Sequence, residues 1–372
     1  MENPVPIAER DQAATPSLGR RLLSWRTLVP LAIAVVGLAL AVPHLASGFS
    51  PGAVGAALAH ANWALLLLGL ISFYTSFVLR TLRWRVLLHN VGDGSGRAVR
   101  LPGLARLTEI LYLSWYANVL VPAKLGDFYR AHLLKEDTEL PMSRTYGTVL
   151  AERALDLAVL LALFVVAALV SVPAGLPDQL TLALRTVIVI TILLVVGLVG
   201  LRFFGARLVR WLPPRLHGIY THFMEGTVGA FKRVPLLVGF SIMIWVFETG
   251  RFLCAAQSVG LLHGDALHVA GAAMVVALAE ALLTAVPLTS GGIGFVEAGM
   301  LALLLVLEAG VPNLSNLAAA AILLDRLLSL GSILVCGTLL LLVMTIRQAR
   351  SGRGARPAGA AVAPTSQSDM QV

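Results

Sequence analysis

Leu157 to Val172, Val187 to Leu201 and Ala266 to Val286 are continuous apolar runs, and the last carries only His268 and Glu280 as ionisable groups. Roughly 20 mostly apolar residues are needed to cross the hydrocarbon of a bilayer. In lipid only a helix or a closed barrel satisfies its own backbone, and these runs do not alternate as barrel strands do. The fold class that follows is all-α: a polytopic membrane helix bundle. Composition agrees, with 58% hydrophobic and only 13% charged residues among 372. Soluble chains carry about a quarter charged residues. The mean hydropathy is +0.84.

Spans are expected near 27–46, 62–79, 146–172, 186–203, 235–259, 266–286, 293–309 and 315–346. A further piece, Leu107 to Val121, is short and ends at Pro122. If it enters and leaves by one face, as a re-entrant element, all but four of the 28 basic residues fall in loops and tails on one side. The four are Arg153, Arg251 and Arg326, within the membrane, and Arg185, beside an outer loop. If the piece spanned, the basic loops after it would change sides. The positive-inside bias therefore predicts eight spans, a re-entrant piece and both termini in the cytoplasm of a plasma-membrane protein. Residues 1–26 form the N-tail, 27–346 the membrane domain, and 347–372 a basic, disordered C-tail rich in Ala, Gly and Pro. The first run follows four arginines and no convincing cleavage site follows it, so it reads as a retained span.

The net charge of +8 is what cytoplasmic loops facing anionic headgroups require. A nucleic-acid partner is not expected, because no soluble domain presents a basic surface interleaved with aromatics. Basic and aromatic residues mix between Phe204 and Arg233, which suits an amphipathic helix on the inner surface. Cys254 and Cys336 lie within apolar runs and read as packing residues, and no metal-ligand spacing occurs; neither metal nor cofactor is expected.

Charge inside lipid costs several kcal/mol, so ionisable residues there are candidates for function. Glu152, Arg153 and Asp156 lie about 10 Å into the third span. Glu152 and Asp156 share a face, while Arg153 points about 100° away to another neighbour. Glu248 and Arg251 are spaced to pair on the fifth span, Asp325 and Arg326 are mid-span in the last, and Glu280 and Glu297 add two acids. Ion pairs that merely hold helices together are the alternative at each position.

Two stretches break the backbone at membrane depth. One runs from Asn118 through Pro122, Lys124, Gly126 and Asp127 to Arg130; the other from Val286 through Pro287, Gly291, Gly292 and Gly294 to Glu297. Proline removes a donor and glycine relaxes the chain, so helices stop and restart there. First-turn amides of the restarted helix suit an anion such as phosphate, although a plain turn also explains the glycines. Each break reads Val-Pro, small residues, then an acid; an arginine-bearing helix precedes it (Arg80 or Arg251) and an acid–arginine pair follows (Glu152-Arg153 or Asp325-Arg326). Paired interruptions in two halves point to an internal repeat with a cavity at its interface. The remaining feature, Arg80 to Arg85 with Arg83 and Trp84, reads as the inner end of the second span, where arginine meets lipid phosphate or simply anchors the helix.

Taken in order, Arg80-x-x-Arg83-Trp84, Asn118 to Arg130, Glu152-Arg153 with Asp156, Pro287 to Glu297 and Asp325-Arg326 resemble the lysylphosphatidylglycerol synthase transmembrane region, or flippase-like, family. The resemblance covers about Leu28 to Ile346. It implies a domain that moves lipids between leaflets, in some members aminoacylated phosphatidylglycerol. Members with a fused cytoplasmic synthase transfer lysine from its tRNA to the lipid. No such domain is seen here, so synthase activity is not carried over and the cargo extends to other polar or isoprenoid lipids. The expectation is a non-enzymatic translocator whose partners are membrane lipids. No ATP-binding motif is apparent, which leaves downhill or ion-coupled movement. The other readings are an intramembrane transferase with Asp127 or Glu152 as base, and a non-transporting partner of a lipid-synthesis enzyme. Translocation requires the charged residues to share one wet pocket.

Overall fold

The computed structural model describes residues 50–92, 100–121, 125–171, 213–285 and 292–352, with isolated positions between 185 and 207. The expected spans 27–46 and, but for those positions, 186–203 lie outside them, as do Lys124, Gly291 and most of the C-tail. The described residues are helical: α1 Pro51–Ala59, α2 Trp63–Val91, α3 Leu104–Leu120, α4 Leu125–Asp137, α5 Met142–Ser171, α6 Pro214–Gly229, α7 Val234–Ser258, α8 Ala266–Ala285, α9 Phe295–Leu307, α10 Leu314–Arg326 and α11 Ser332–Gly352. A five-residue π turn, Leu327–Gly331, joins the last two. Among the described residues α2, α7, α8 and the run Leu314–Met344 are long and apolar enough to cross a membrane. The all-α membrane bundle is the observed class.

Helix α2 starts where the Asn62 side chain accepts the Ala64 and Leu65 amides, and ends at Gly92, whose φ is 65°. It therefore runs twelve residues past the expected end at 79. Arg80, Arg83 and Trp84 are interior residues, 3%, 0% and 0% exposed, and not a membrane boundary. Hydropathy ends a span at charge because charge normally meets water; here the charge meets protein.

Helices α2 and α7 pack antiparallel along their lengths. The Asn62 amide donates to the Ser258 carbonyl at one end. At the other, Asn90 Nδ2 donates to the Ala230 and Lys232 carbonyls just before α7. Ser72 and Ser76 bridge the middle through Phe247 O and Glu248.

Helices α3 and α4 form a hairpin. Arg106 at its open end reaches Asp137 at 2.7 Å, and at its tip the Gly126 amide donates to Asn118 Oδ1 at 2.8 Å. A Cβ on Gly126 would run into the Ser114 carbonyl and Asn118, so glycine is what lets the arms close. The chain enters and returns on one side, as expected of Leu107 to Val121. Helices α8 and α9 repeat the arrangement: His268 meets Glu308 at 3.2 Å at the open end, and Gly292, with φ 74°, lies beside Thr284 at the tip. Segment 293–309 is thus a 13-residue helix about 20 Å long that serves as a return arm.

The two hairpins open at opposite ends of the bundle. The first packs Leu107, Ile110 and Leu134 on Trp84 and Leu88, late in α2; the second packs Ala272 and Leu304 on Phe252 and Ala256, late in α7. Since α2 and α7 are antiparallel, the units α2–α5 and α7–α10 are inverted relative to one another. This is the internal repeat, in an inverted form. Helix α6, from the stretch expected to be amphipathic, docks on the start of α5, with Gly147 and Gly226 permitting close backbone approach.

Candidate functional site

Arginines and acids on successive helices carry the repeat into side-chain chemistry. In the first unit Arg83 of α2 holds Glu152 of α5 at 2.9 Å and also grips Asp156. In the second, Arg251 of α7 grips Asp325 of α10. The arginine after each acid turns to the hairpin: Arg153 takes Asp127 at 3.0 Å, and Arg326 takes Glu297 at 2.8 Å. Both hairpin acids sit in the first turn of the return arm, and Glu297 Oε2 also accepts the Gly294 amide at 2.6 Å. The counterpart of Arg251 is therefore Arg83 and not Arg80. Arg80 instead crosses between the units to Glu248 at 3.0 Å, lying over the Trp115 and Trp245 rings at 4.8 and 5.4 Å.

These contacts weave two networks. In the first, Arg130 adds a bond to Glu152 at 2.9 Å while stacking on Trp84 at 3.8 Å. In the second, Arg251 binds Glu248 at 3.3 Å and Glu280 at 2.8 Å besides Asp325, and Arg326 also reaches Glu280 at 3.1 Å. Desolvating so many charges is repaid only where each is matched closely. Arg80, Arg83 and Arg130, assigned to loops by the positive-inside argument, belong to these networks; that bias stands on the remaining loop and tail residues.

The two hairpin tips meet across a cavity of about 390 Å³. Of the residues singled out in the sequence, Arg80, Asn118, Asp127, Arg153, Asp156, Arg251, Gly292 and Arg326 line it. Glu248, Glu280, Trp115, Trp245 and Ser329 line it too, and Leu157, Leu160 and Ile333 give it apolar walls. Arg83, Arg130, Glu152, Gly294, Glu297 and Asp325 stand behind this lining, holding it in place. Among the described residues, Arg80 Nε, Trp245 Nε1 and Arg326 Nη2 are buried donors without an acceptor, all on lining side chains. A buried unpaired donor costs about 1–3 kcal/mol, a cost that any acceptor entering the cavity, water included, would relieve.

The two tryptophans were not singled out in the sequence, though a signal exists. Trp245 is one helical turn before Glu248, and Trp115 precedes Pro122 on the re-entrant piece. The π turn had no readable signal. It begins two residues after Asp325, whose carbonyl accepts from Arg251 at 3.2 Å and Ser329 at 2.9 Å.

Fold and site together define a multi-pass helical membrane protein built of inverted units around a charged interior cavity. The chain belongs to the lysylphosphatidylglycerol synthase TM region family, which it matches over residues 27–337. It is similar to the UPF0104 membrane protein MJ1078 of Methanocaldococcus jannaschii, 30% identical over 234 residues, covering 62% of this chain and 94% of that protein. It also resembles the glycosyltransferase AglD of Haloferax volcanii, 27% identical over 127 residues, 34% of this chain but only 19% of that protein.

Proposed function

We propose that this protein translocates a polar lipid between leaflets, its headgroup crossing the cavity while the acyl or isoprenoid tails stay in hydrocarbon. The observation that carries the reading is the meeting of two oppositely entering hairpin tips at one charged cavity. Interrupted elements from inverted halves are how transporters build a site reachable from either side. The unpaired Arg80, Trp245 and Arg326 donors suit the oxygens of a phosphate. Asp127, Asp156 and Glu280, which also line the space, suit the cationic part of a zwitterionic or aminoacylated headgroup.

The activity is transport and not catalysis. Each carboxylate of both networks is engaged by at least one guanidinium, which leaves a poor general base but a good set of exchangeable partners for a headgroup. In this reading the protein acts in the plasma membrane with both termini cytoplasmic, an orientation that the basic residues of the remaining loops and tails support.

The test uses purified full-length protein in vesicles of phosphatidylethanolamine and phosphatidylglycerol with an acyl-labelled phosphatidylglycerol probe. Protein-dependent loss of inner-leaflet probe to a membrane-impermeant quencher, with the lipid chemically unchanged, is expected. Arg326→Ala should lower the rate at least tenfold without loss of inserted protein. Altered lipid would instead assign an intramembrane transferase. Neither exchange nor alteration would assign a partner of a lipid-synthesis enzyme.

A further inference from the structure

The two units differ in charge. Aligning the first residues of the return arms α4 and α9 sets Asp127 against Glu297, and three residues on in each arm, Arg130 against Met300, both buried. The second unit lacks the arginine that completes the first. Trp115 is likewise matched by Glu280, six residues before the second break as Trp115 is before the first. In sum, Arg80, Arg83, Arg130, Arg153, Arg251 and Arg326 face one carboxylate more than their own number. The excess lies at Arg251, on which Glu248, Glu280 and Asp325 all converge.

Asp325 is where the surplus is least tolerable. It is 0% exposed, and its Oδ2 is buried without a donor among the described residues. Its Oδ1 takes Arg251 Nη1 while Glu280 takes Nη2 of the same guanidinium, so the two carboxyls are neighbours across one planar group. Two carboxylates so placed repel each other, and one proton shared between them would relieve that repulsion. The groups facing the pair are Glu248 and Arg251 from α7, Glu297 from α9 and Arg326 from α10 itself, with Arg80 of α2 behind Glu248; α5, packed on α8, brings Arg153 and Asp156 to the cavity that Glu280 lines, and α1, also packed on α10, brings none.

We infer that the Asp325–Glu280 pair is a proton-binding site and that its occupancy drives the second hairpin, making translocation proton-coupled. The inference rests on the translocation reading for its consequence, though the proton site stands by itself. The link is direct. Glu280 and Glu297 share Arg326, and Glu297 holds the Gly294 amide at the hairpin tip. When the proton leaves to water in the cavity, Glu280 and Asp325 both claim Arg251 and Arg326, weakening the hold of Arg326 on Glu297 and on the tip. When a proton returns, the hold is restored. The asymmetry confines the device to the second unit.

Infrared difference spectroscopy of the purified full-length protein reads the proton without transport. A buried protonated carboxyl stretch, shifted by deuterium oxide, is expected at neutral pH. Asp325→Asn and Glu280→Gln should each abolish it, since either leaves the site balanced, whereas Glu152→Gln in the first unit should retain it. In the vesicles above, an imposed pH gradient should change wild-type probe exchange at least threefold, and Asp325→Asn should reduce that ratio to one. Absence of the carboxyl band, its survival in both second-unit variants, or wild-type exchange indifferent to the gradient would overturn the proposal. A band that behaves as expected in a protein exchanging no lipid would keep the proton site and sink the translocation reading alone.

Discussion

The first unit matches three guanidiniums to Asp127, Glu152 and Asp156 and keeps a fourth, Arg80, for Glu248 across the boundary. The second has only Arg251 and Arg326 of its own for Glu248, Glu280, Glu297 and Asp325, and borrows Arg80 at Glu248. One backbone plan thus carries a saturated network and a deficient one. Saturation favours a single arrangement, because moving any member leaves a charge exposed to hydrocarbon. Deficiency leaves carboxylates to compete for arginine, and competition gives two arrangements of similar energy. Rigidity is expected of α2–α5 and movement of α8–α9.

Removing the central arginine of each unit gives the largest separation. Arg251→Met leaves Glu248 on Arg80 and Glu280 on Arg326 but strands Asp325, which is 0% exposed and has no other arginine partner among the described residues, and should cost about 3–5 kcal/mol, the usual penalty for breaking a buried pair. Arg83→Met leaves Glu152 on Arg130 and Asp156 on the wet cavity, so about 1–3 kcal/mol is expected. Thermal melts in mild detergent distinguish them, and equal losses would dissolve the contrast. Neutralising an acid follows. Glu152→Gln deprives Arg83 and Arg130 together and should cost about 3 kcal/mol. Asp325→Asn replaces a group that already shares a proton and should stay within about 1 kcal/mol. A larger loss at Asp325 than at Glu152 would place full charge there.

Much of this plan is legible in the chain. The two Val-Pro breaks, the acid–arginine pairs behind them and the outward turn of Arg153 follow from spacing, and Arg153 does reach a different element from Glu152. Partner identity is not legible. Arg80 and Arg83 lie one turn apart and look equivalent in sequence, yet one faces α7 and the other α5. Which face meets which helix depends on the antiparallel packing of α2 on α7, a contact between residues about 170 apart in the chain. The deficiency itself becomes visible only once Met300 is set against Arg130, and that pairing needs the aligned return arms.

The hairpin tips offer a smaller test of the same contrast. The first tip is closed by contact, since a Cβ on Gly126 meets backbone, so Gly126→Ala should cost about 1–3 kcal/mol through overpacking. The second is shaped by backbone conformation: Gly294 has φ 89° with open space around it, so Gly294→Ala costs only the strain of that φ, about 1 kcal/mol. Protease accessibility in vesicles should rise with Gly126→Ala more than with Gly294→Ala. The reverse order would make the second tip the packed one.

The open ends of the hairpins close the series. Arg106 and Asp137 are 30% and 25% exposed in their side chains, so water and salt screen the 2.7 Å pair and Arg106→Gln should cost less than about 1 kcal/mol. At the other end Glu308 is 3% exposed while its partner His268 is 35% exposed, so His268→Gln removes the imidazole partner of a nearly buried carboxylate and keeps a hydrogen-bond donor. That substitution should cost somewhat more than Arg106→Gln, by roughly 0.5–1 kcal/mol, and the excess should persist in high salt because a buried group is screened less. Melting both variants across a salt series measures it. Two small losses that vanish together with salt would mean that the ends of the hairpins are alike, and would confine the difference between the units to the interior, where the arginines are unequally shared.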